Sequence, residues 1–421
     1  MTRTRGISVL AAVFVAANAG RGWCQPPPLP AITIQQAVSE ALDHNLSLLA
    51  ERYNVTVAQA AVVTAGLRPN PVLTLNVMRP DGPLVDAGVA VNDVVVRTDY
   101  VIERGGKRDR RIDQATLART VAELQLLDAT RKLVLDVQTA FTDLQLAKLN
   151  LALAQENLAA FTNVVSINVD RVRTGDLAEV ELARSRLAAL QFQNDVEQQD
   201  TKLAIARGRL AVLIGRKATE ALDVTGNLRR DADAVDRSAL EARALTARPD
   251  LRAARSDQAR SAADLRLQLA NAKIDYTISG EYHRMQGGGL VGNDYGIYFS
   301  TPLPIFNRNQ GEVARAQSQQ SQLETRTRAL EADVTGDLDA AFTDYTSARR
   351  IVERIETSML DQARDVRATM EYSYRRGEAS LVELLDAVRA FNDTTRSYNE
   401  ARADYAHSLY ALDAISGKVT P

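Results

Sequence analysis

Cysteine and histidine are almost missing from this chain of 421 residues: one Cys at position 24 and three scattered His (His44, His283 and His407). A disulfide framework and a Cys/His metal site are therefore excluded. Charge of one sign is missing too, since 51 Lys and Arg nearly balance 53 Asp and Glu, leaving a net charge of −2. No global excess draws the chain to nucleic acid or anionic lipid. Past the N-terminus no run of about 18 apolar residues occurs, so no transmembrane helix is expected. No Ser/His/Asp order, phosphate loop or redox pair is present, so the sequence reads as no enzyme and calls for no cofactor. What is there, 45% hydrophobic and 25% charged residues, is the composition of a packed protein rather than a disordered one.

Residues 1–25 read as a secretory signal. Arg3 and Arg5 precede the apolar run Ile7 to Ala17, followed by Ala17-Asn18-Ala19. Cys24 raises the question of lipidation. It follows Arg21-Gly22-Trp23 rather than small residues, so a lipid anchor and a plain cysteine near a cleavage site both stay open.

The mature chain is a tandem repeat. Ala140-Phe141-Thr142-Asp143 returns as Ala341-Phe342-Thr343-Asp344, and Arg173-Thr174-Gly175-Asp176 is answered by Arg375-Arg376-Gly377-Glu378. Val180-Glu181-Leu182 is answered by Val382-Glu383-Leu384, and Gly215 by Gly417. The expected organisation is a first unit over 26–215, a linker over 216–248 and a second unit over 249–421.

Proline and glycine mark the parts of a unit. No Pro occurs between Leu84 and Arg248 or between Ile305 and Thr420, and these stretches are rich in good helix formers. Leu117, Val121, Leu124 and Leu127, then Val134, Val137 and Phe141, have helical spacing. The pattern predicts a helix from Arg108 to Val172, roughly 100 Å long at 1.5 Å per residue. A turn at Gly175 reverses it into Ala178–Leu213. The second unit repeats this with Gln310–Arg375, a turn at Gly377 and Ser380–Ser416. Before each hairpin lie strand pairs, expected at 71–78 and 93–102, joined across Pro80-Asp81-Gly82-Pro83, and at 274–283 and 294–299, joined across Gln286 to Gly289. Tyr276, Tyr282, Tyr295, Tyr298 and Phe299 gather in the second pair, as an interfacial girdle requires. Four strands cannot close a barrel, so strands that cross lipid demand an oligomer.

Several segments together resemble the TolC-like outer-membrane efflux factors over essentially the whole mature length. They are Ile32 to Asn45, Gly66-Leu67-Arg68-Pro69-Asn70-Pro71 and Ala247-Arg248-Pro249-Asp250-Leu251. Gly105-Gly106-Lys107-Arg108 and Pro302 to Gly311 are similar to the cation-efflux branch of that family, the CzcC and CusC type. The resemblance implies an α+β fold: a homotrimeric outer-membrane β-barrel with four strands per chain, continued by a long α-helical barrel in the periplasm. It also implies that Gly175 and Gly377 sit at periplasmic tips, where a periplasmic adaptor (membrane fusion protein) docks.

Glu383 and Asp386 lie three residues apart on one helical face. In the family the matching acidic pair constricts the tunnel mouth. The first unit holds Glu181 and Arg184 at the same positions, so Arg184 is a candidate to lock a closed state by a salt bridge. Tyr374 matches a family position that hydrogen-bonds across neighbouring helices. The plainer reading makes all five solvated tip residues. Arg104, Lys107, Arg108, Arg110 and Arg111 are either a headgroup anchor or a solvated helix start.

The expected function is a passive, gated outer-membrane exit duct of a tripartite system, with an inner-membrane RND transporter supplying energy and metal cations as cargo. A multidrug or type I protein-secretion duct has the same fold. An exported structural coiled coil needs no strands and fits less well.

Overall fold

The structure, a computed structural model, describes residues 31–79, 92–231, 235–287 and 289–418. The expected signal segment with Cys24 and the loop Pro80 to Pro83 lie outside the described residues.

Helices α1 (Ile34–His44) and α2 (Leu46–Ala65) lead into strands β2 (Val72–Met78) and β3 (Asn92–Ile102), then helices α3 (Lys107–Thr174) and α4 (Glu179–Leu213). The order returns as α5 (Arg237–Ala247), α6 (Pro249–Asn271), β5 (Tyr276–Gly287), β6 (Leu290–Ser300), α7 (Gln310–Arg354), α8 (Leu360–Arg376) and α9 (Leu381–Ile415). Two short strands, β1 (Ala31–Ile32) and β4 (Asp223–Val224), pair in parallel and tie the N-terminal segment to the strap that links the two units.

The helices are long because nothing stops them. α3 runs 68 residues without proline or glycine until Gly175 ends it in the left-handed region (φ 84°). The Asp176 amide donates to the Arg171 carbonyl at 2.8 Å and the Gly175 amide to Val172 at 3.1 Å, a Schellman closure. Gly377 ends α8 in the same way, with the Glu378 amide on the Ser373 carbonyl at 2.9 Å. The expected second long helix is interrupted, however: a π-turn at Ile355–Met359 separates α7 from α8. The sequence holds its cause. The Ala-Phe-Thr-Asp repeats are 201 residues apart and the tip glycines 202, so the second unit carries one extra residue between Asp344 and Gly377. A π-turn is how an α-helix lodges one extra residue without losing register on either side.

Three apolar clusters hold the helices. Val137, Phe141 and Leu144 of α3 meet Val38 of α1, Leu210 of α4 and Leu222. Leu338, Tyr345 and Val352 of α7 meet Tyr405 and Leu409 of α9. Phe161, Tyr374, Leu381 and Leu384 form a smaller cluster near the tips. Gly215 and Gly417 end α4 and α9 at equivalent places, each with positive φ, against the C-termini of α1 and α5. A Cβ on Gly215 would stand 2.7 Å from the His44 carbonyl oxygen, and one on Gly417 2.9 Å from the Ala247 carbonyl carbon. Because backbone is what obstructs them, Gly215→Ala and Gly417→Ala should each cost roughly 2–4 kcal/mol, strain and overpacking together. Gly175→Ala, whose Cβ meets open space, should cost only about 1–2 kcal/mol. Denaturant midpoints of the three variants check this ordering.

The four longer strands form one antiparallel sheet in the order β2-β3-β5-β6. β5 and β6 extend further toward each other than expected, to Gly287 and from Leu290. Arg284, Gln286 and Asn293 break the apolar pattern and make the strands look shorter in sequence. Backbone pairing continues through them because hydrogen bonding does not require apolar side chains.

Candidate functional site

Alternation along each strand sorts the sheet into two faces, and the register aligns the same face from strand to strand. With Val94 paired to Arg284, Val96 to Tyr282 and Tyr282 to Tyr295, one face carries Leu73, Leu75, Val77, Val94, Val96, Tyr100, Ile102, Tyr276, Ile278, Tyr282, Tyr295, Ile297 and Phe299. It is openly apolar, with Leu75 65% and Ile297 88% exposed. Its aromatics pair at two levels, Tyr276 with Phe299 at 5.1 Å and Tyr282 with Tyr295 at 5.3 Å between ring centres. Beyond the second pair come Arg284, Gln286 and Asn293.

The opposite face carries Thr74, Asn76, Asp93, Arg97, Asp99, Ser279, Glu281, His283 and Asp294. Its charges are networked. Arg97 donates to Asp99 at 2.7 Å and to the Ser279 hydroxyl at 3.1 Å, and lies 5.3 Å from the Tyr298 ring centre. Tyr298 in turn donates to Glu281 at 3.1 Å. Four carboxylates against Arg97 and His283 leave this face acidic. Val94-Val95-Val96 obscures the alternation because Val95 is an apolar residue on the polar face. β2 and β6 each leave one edge unpaired among the described residues.

Where the sheet meets the helices, the cations expected as a headgroup anchor or a solvated helix start differ in burial: Lys107 is buried, Arg111 half-buried and the other three exposed. Lys107, 8% exposed, pairs with Asp275 at 2.7 Å. Arg108 donates to the Gly66 carbonyl at 2.6 Å, and Arg111 pairs with Glu103. Arg104 stacks 4.5 Å over Tyr276. These side chains lace the end of α2 and the β5 start to the head of α3, so the strand-to-helix junction is braced, by Lys107 from within and by the arginines at its surface. Arg104, Arg108 and Arg110 are exposed, Arg110 pairing at the surface with Asp113, and keep the solvated reading.

At the other end lie the two hairpin tips. Tyr374 is buried and its hydroxyl donates to Asn168 Oδ1 of α3 at 2.7 Å. Arg171 donates to the Tyr374 carbonyl at 3.4 Å and lies 6.0 Å from its ring centre. Burial, set against the Asn168 hydrogen bond and the nearby Arg171 charge, raises the Tyr374 phenol above its ordinary value. Nothing in the sequence singles out Asn168 and Arg171, because neither has a counterpart in the other unit. Arg184 pairs with Glu181 at 2.7 Å within α4, so in a single chain it bridges to no other helix. Asp386 has only Arg389 near it, at 3.9 Å and exposed.

Glu383 has a local role that the sequence already signals as Ser380-x-x-Glu383. Its carboxylate accepts from the Ser380 amide at 2.7 Å while its own amide donates to the Ser380 hydroxyl at 3.3 Å, a capping box for α9. The Ser380 amide, and then its hydroxyl, hold the Glu383 carboxyl below its ordinary value, so it stays ionised at neutral pH. Among the described residues no three His, Cys, Asp or Glu side chains gather as a metal set, and no helix is long and apolar enough to cross a membrane.

Two braced hairpins, a two-faced sheet and a repeated order of elements define a class of channel-forming protein. The chain belongs to the outer membrane efflux protein family, whose model matches residues 37–216 and 240–418; it is a family of channels rather than enzymes. The chain is 22% identical to the cobalt-zinc-cadmium resistance protein CzcC of Cupriavidus metallidurans, over 98% of this chain and 97% of that protein. It is 23% identical to nodulation protein T of Rhizobium leguminosarum bv. trifolii, over 91% and 84%. Its fold is that of the channel CusC, with a TM-score of 0.76 over 92% of this chain and 93% of CusC at 17% identity.

Proposed function

We propose that three copies of this chain join their sheets edge to edge into a twelve-stranded outer-membrane barrel, and their hairpins into a periplasmic helical tunnel. The assembly is a passive exit duct for metal cations, serving an inner-membrane RND transporter through a periplasmic adaptor docked on the tips at Gly175 and Gly377. The two-faced sheet carries this reading. One face fits lipid and the other water, and two unpaired edges cannot stand in a bilayer unless another copy satisfies them. The acidic excess of the polar face favours cations over anions in the barrel, and the similarity to CzcC supports metal cations as the cargo. The similarity to nodulation protein T, whose name mentions no metal, keeps a duct for another cargo as the second reading.

At the tunnel mouth, Glu383 and Asp386 form an acidic ring when three chains assemble. Tyr374 closes the tips through Asn168, while Glu181 tempers Arg184. Glu383→Gln/Asp386→Asn removes both charges, and the glutamine retains the hydrogen bonds of the capping box. Single-channel recording in a planar bilayer is the test. The wild type should show a small conductance with a reversal potential shifted toward that of the cation, and the double variant should conduct several-fold more with weaker cation preference. Unchanged conductance would remove the acidic gate, and a folded, inserted protein without any pore would remove the duct.

A further inference from the structure

The extra residue of the second unit has not lodged at random. The π-turn falls where α7 leaves its apolar cluster at Val352 and Ile355, and its second residue is Glu356. That carboxylate accepts two hydrogen bonds from Arg230, at 2.7 and 3.0 Å, and a third from the Tyr398 hydroxyl of α9 at 2.7 Å. Arg230 belongs to the strap that follows β4. The strap is fixed beside it, where Arg229 pairs with Asp231 at 2.6 Å and Asp413 at 2.8 Å and lies 4.9 Å from the Tyr410 ring centre. A firmly held strap thus grips the one irregular turn in the second long hairpin.

Below the turn the packing is loose. α8 has a single buried residue, Tyr374. A cavity of about 60 Å³ separates it from α3, lined by Asn157, Phe161, Ile167, Arg367, Tyr374 and Leu384. Asn157 Oδ1 in its lining, and Nδ2 of Asn168 beside Tyr374, are buried without a hydrogen-bond partner in the protein. Two buried amide atoms without a protein partner and a cavity beside them leave this end of α8 less tightly packed than the helices above the turn. α3 passes the same level as one uninterrupted helix.

We propose that the π-turn is the hinge on which α8 moves, and that the Arg230–Glu356 pair is the latch that holds it in the closed position. The strap that links the two units thereby governs the gate at the tips. The inference rests on the duct reading for its purpose, though not for its mechanics. Mid-helix π-turns bend more readily than the regular helix beside them, and a segment with few buried contacts opens independently of the rest.

Hydrogen exchange on the full-length protein, with conductance measured beside it, tests the latch. In Glu356→Gln and Arg230→Gln, amides of residues 360–376 should exchange roughly twofold to fivefold faster, the loss expected of an ion pair whose arginine is largely exposed. Amides of α3 at the same level should not change. The swapped pair Arg230→Glu/Glu356→Arg should restore the wild-type rate. Exchange in α8 unmoved by both single variants would overturn the latch, and so would acceleration spread through α1 and α3, which is general loss of stability. In the bilayer the single variants should raise open probability several-fold. If α8 exchanges faster but open probability stays at the wild-type level, the link from strap to gate is wrong. If no form conducts, the duct reading fails, and the exchange data still decide the hinge.

Discussion

Leu75→Arg should prevent the protein from reaching the outer membrane in assembled form, whereas Thr74→Arg, one residue earlier, should be tolerated. Leu75 lies on the apolar face, midway along β2 and opposite Val96. Thr74 lies on the polar face, opposite Arg97. A guanidinium on the lipid side of a barrel costs about 2–4 kcal/mol near the bilayer midplane. In a trimer the same substitution occurs three times, which takes the total to about 6–12 kcal/mol, comparable with the whole stability of a typical domain. On the polar side the same group remains hydrated, and its main effect is to reduce the acidic excess and with it cation preference. The measurement is the fraction of protein recovered as folded oligomer in the outer-membrane fraction. It should fall by more than tenfold for Leu75→Arg and stay near wild type for Thr74→Arg. Equal recovery of the two variants would mean that the sheet does not present one face to lipid.

The second large effect belongs to Arg131→Met, far from any tip or strand. Arg131 is 6% exposed and donates to Asp128 at 2.6 and 3.0 Å and to the Ala414 carbonyl of α9 at 3.2 Å. Asp250, at the head of α6, stands 3.8 Å away and is also held by Arg248, which reaches on to Asp337 of α7. One guanidinium therefore joins α3 of the first unit to α6 and α9 of the second. Removing it leaves buried carboxylate and carbonyl oxygens without their donor, at a cost of about 3–5 kcal/mol. Lys132, 2.8 Å from Asp128, should keep the result near the lower end. Asp128→Leu/Arg131→Met, which deletes both charges, should recover most of the loss. Denaturant unfolding followed by circular dichroism reads both.

The same pair predicts how the effect varies with pH. Burial alone would raise the Asp128 carboxyl, but hydrogen bonds from Lys132 and Arg131 outweigh it and hold the group below its ordinary value of 3.8. A depressed carboxyl stabilises the fold above its unfolded value, and that contribution is lost as pH falls through the folded value. The stability gap between wild type and Arg131→Met should thus be constant near neutrality and shrink below about pH 4. A gap that widened in acid would show that Asp128 is not the group Arg131 supports.

Much of the architecture is legible in the amino-acid sequence alone. The helices follow from uninterrupted stretches without proline, their ends from Gly175 and Gly377, and the pairing of units from repeated segments. Even the π-turn is implicit in the change of spacing from 201 to 202 residues, although only the structure shows where the extra residue is absorbed. The capping box at Ser380 and Glu383 is just as legible, but a pair of acids on one helical face points first to a gate. Two of the junction cations are opaque for the opposite reason. Lys107 pairs with Asp275 and Arg108 donates to the Gly66 carbonyl, both in separate segments, and no local pattern announces so distant a partner.

The division follows the range of the forces involved. Helix propensity, glycine's freedom at positive φ and proline's missing donor act within a few residues, so the sequence by itself determined the hairpins, their turns and the existence of four strands. Which strand faces meet, how Tyr374 finds Asn168, and how the strap comes to hold Glu356 depend on residues tens to hundreds of positions apart. Those contacts exist only after the helices have packed, and only the tertiary structure decided them, because register between distant elements is set by the sum of many weak contacts that no single segment encodes.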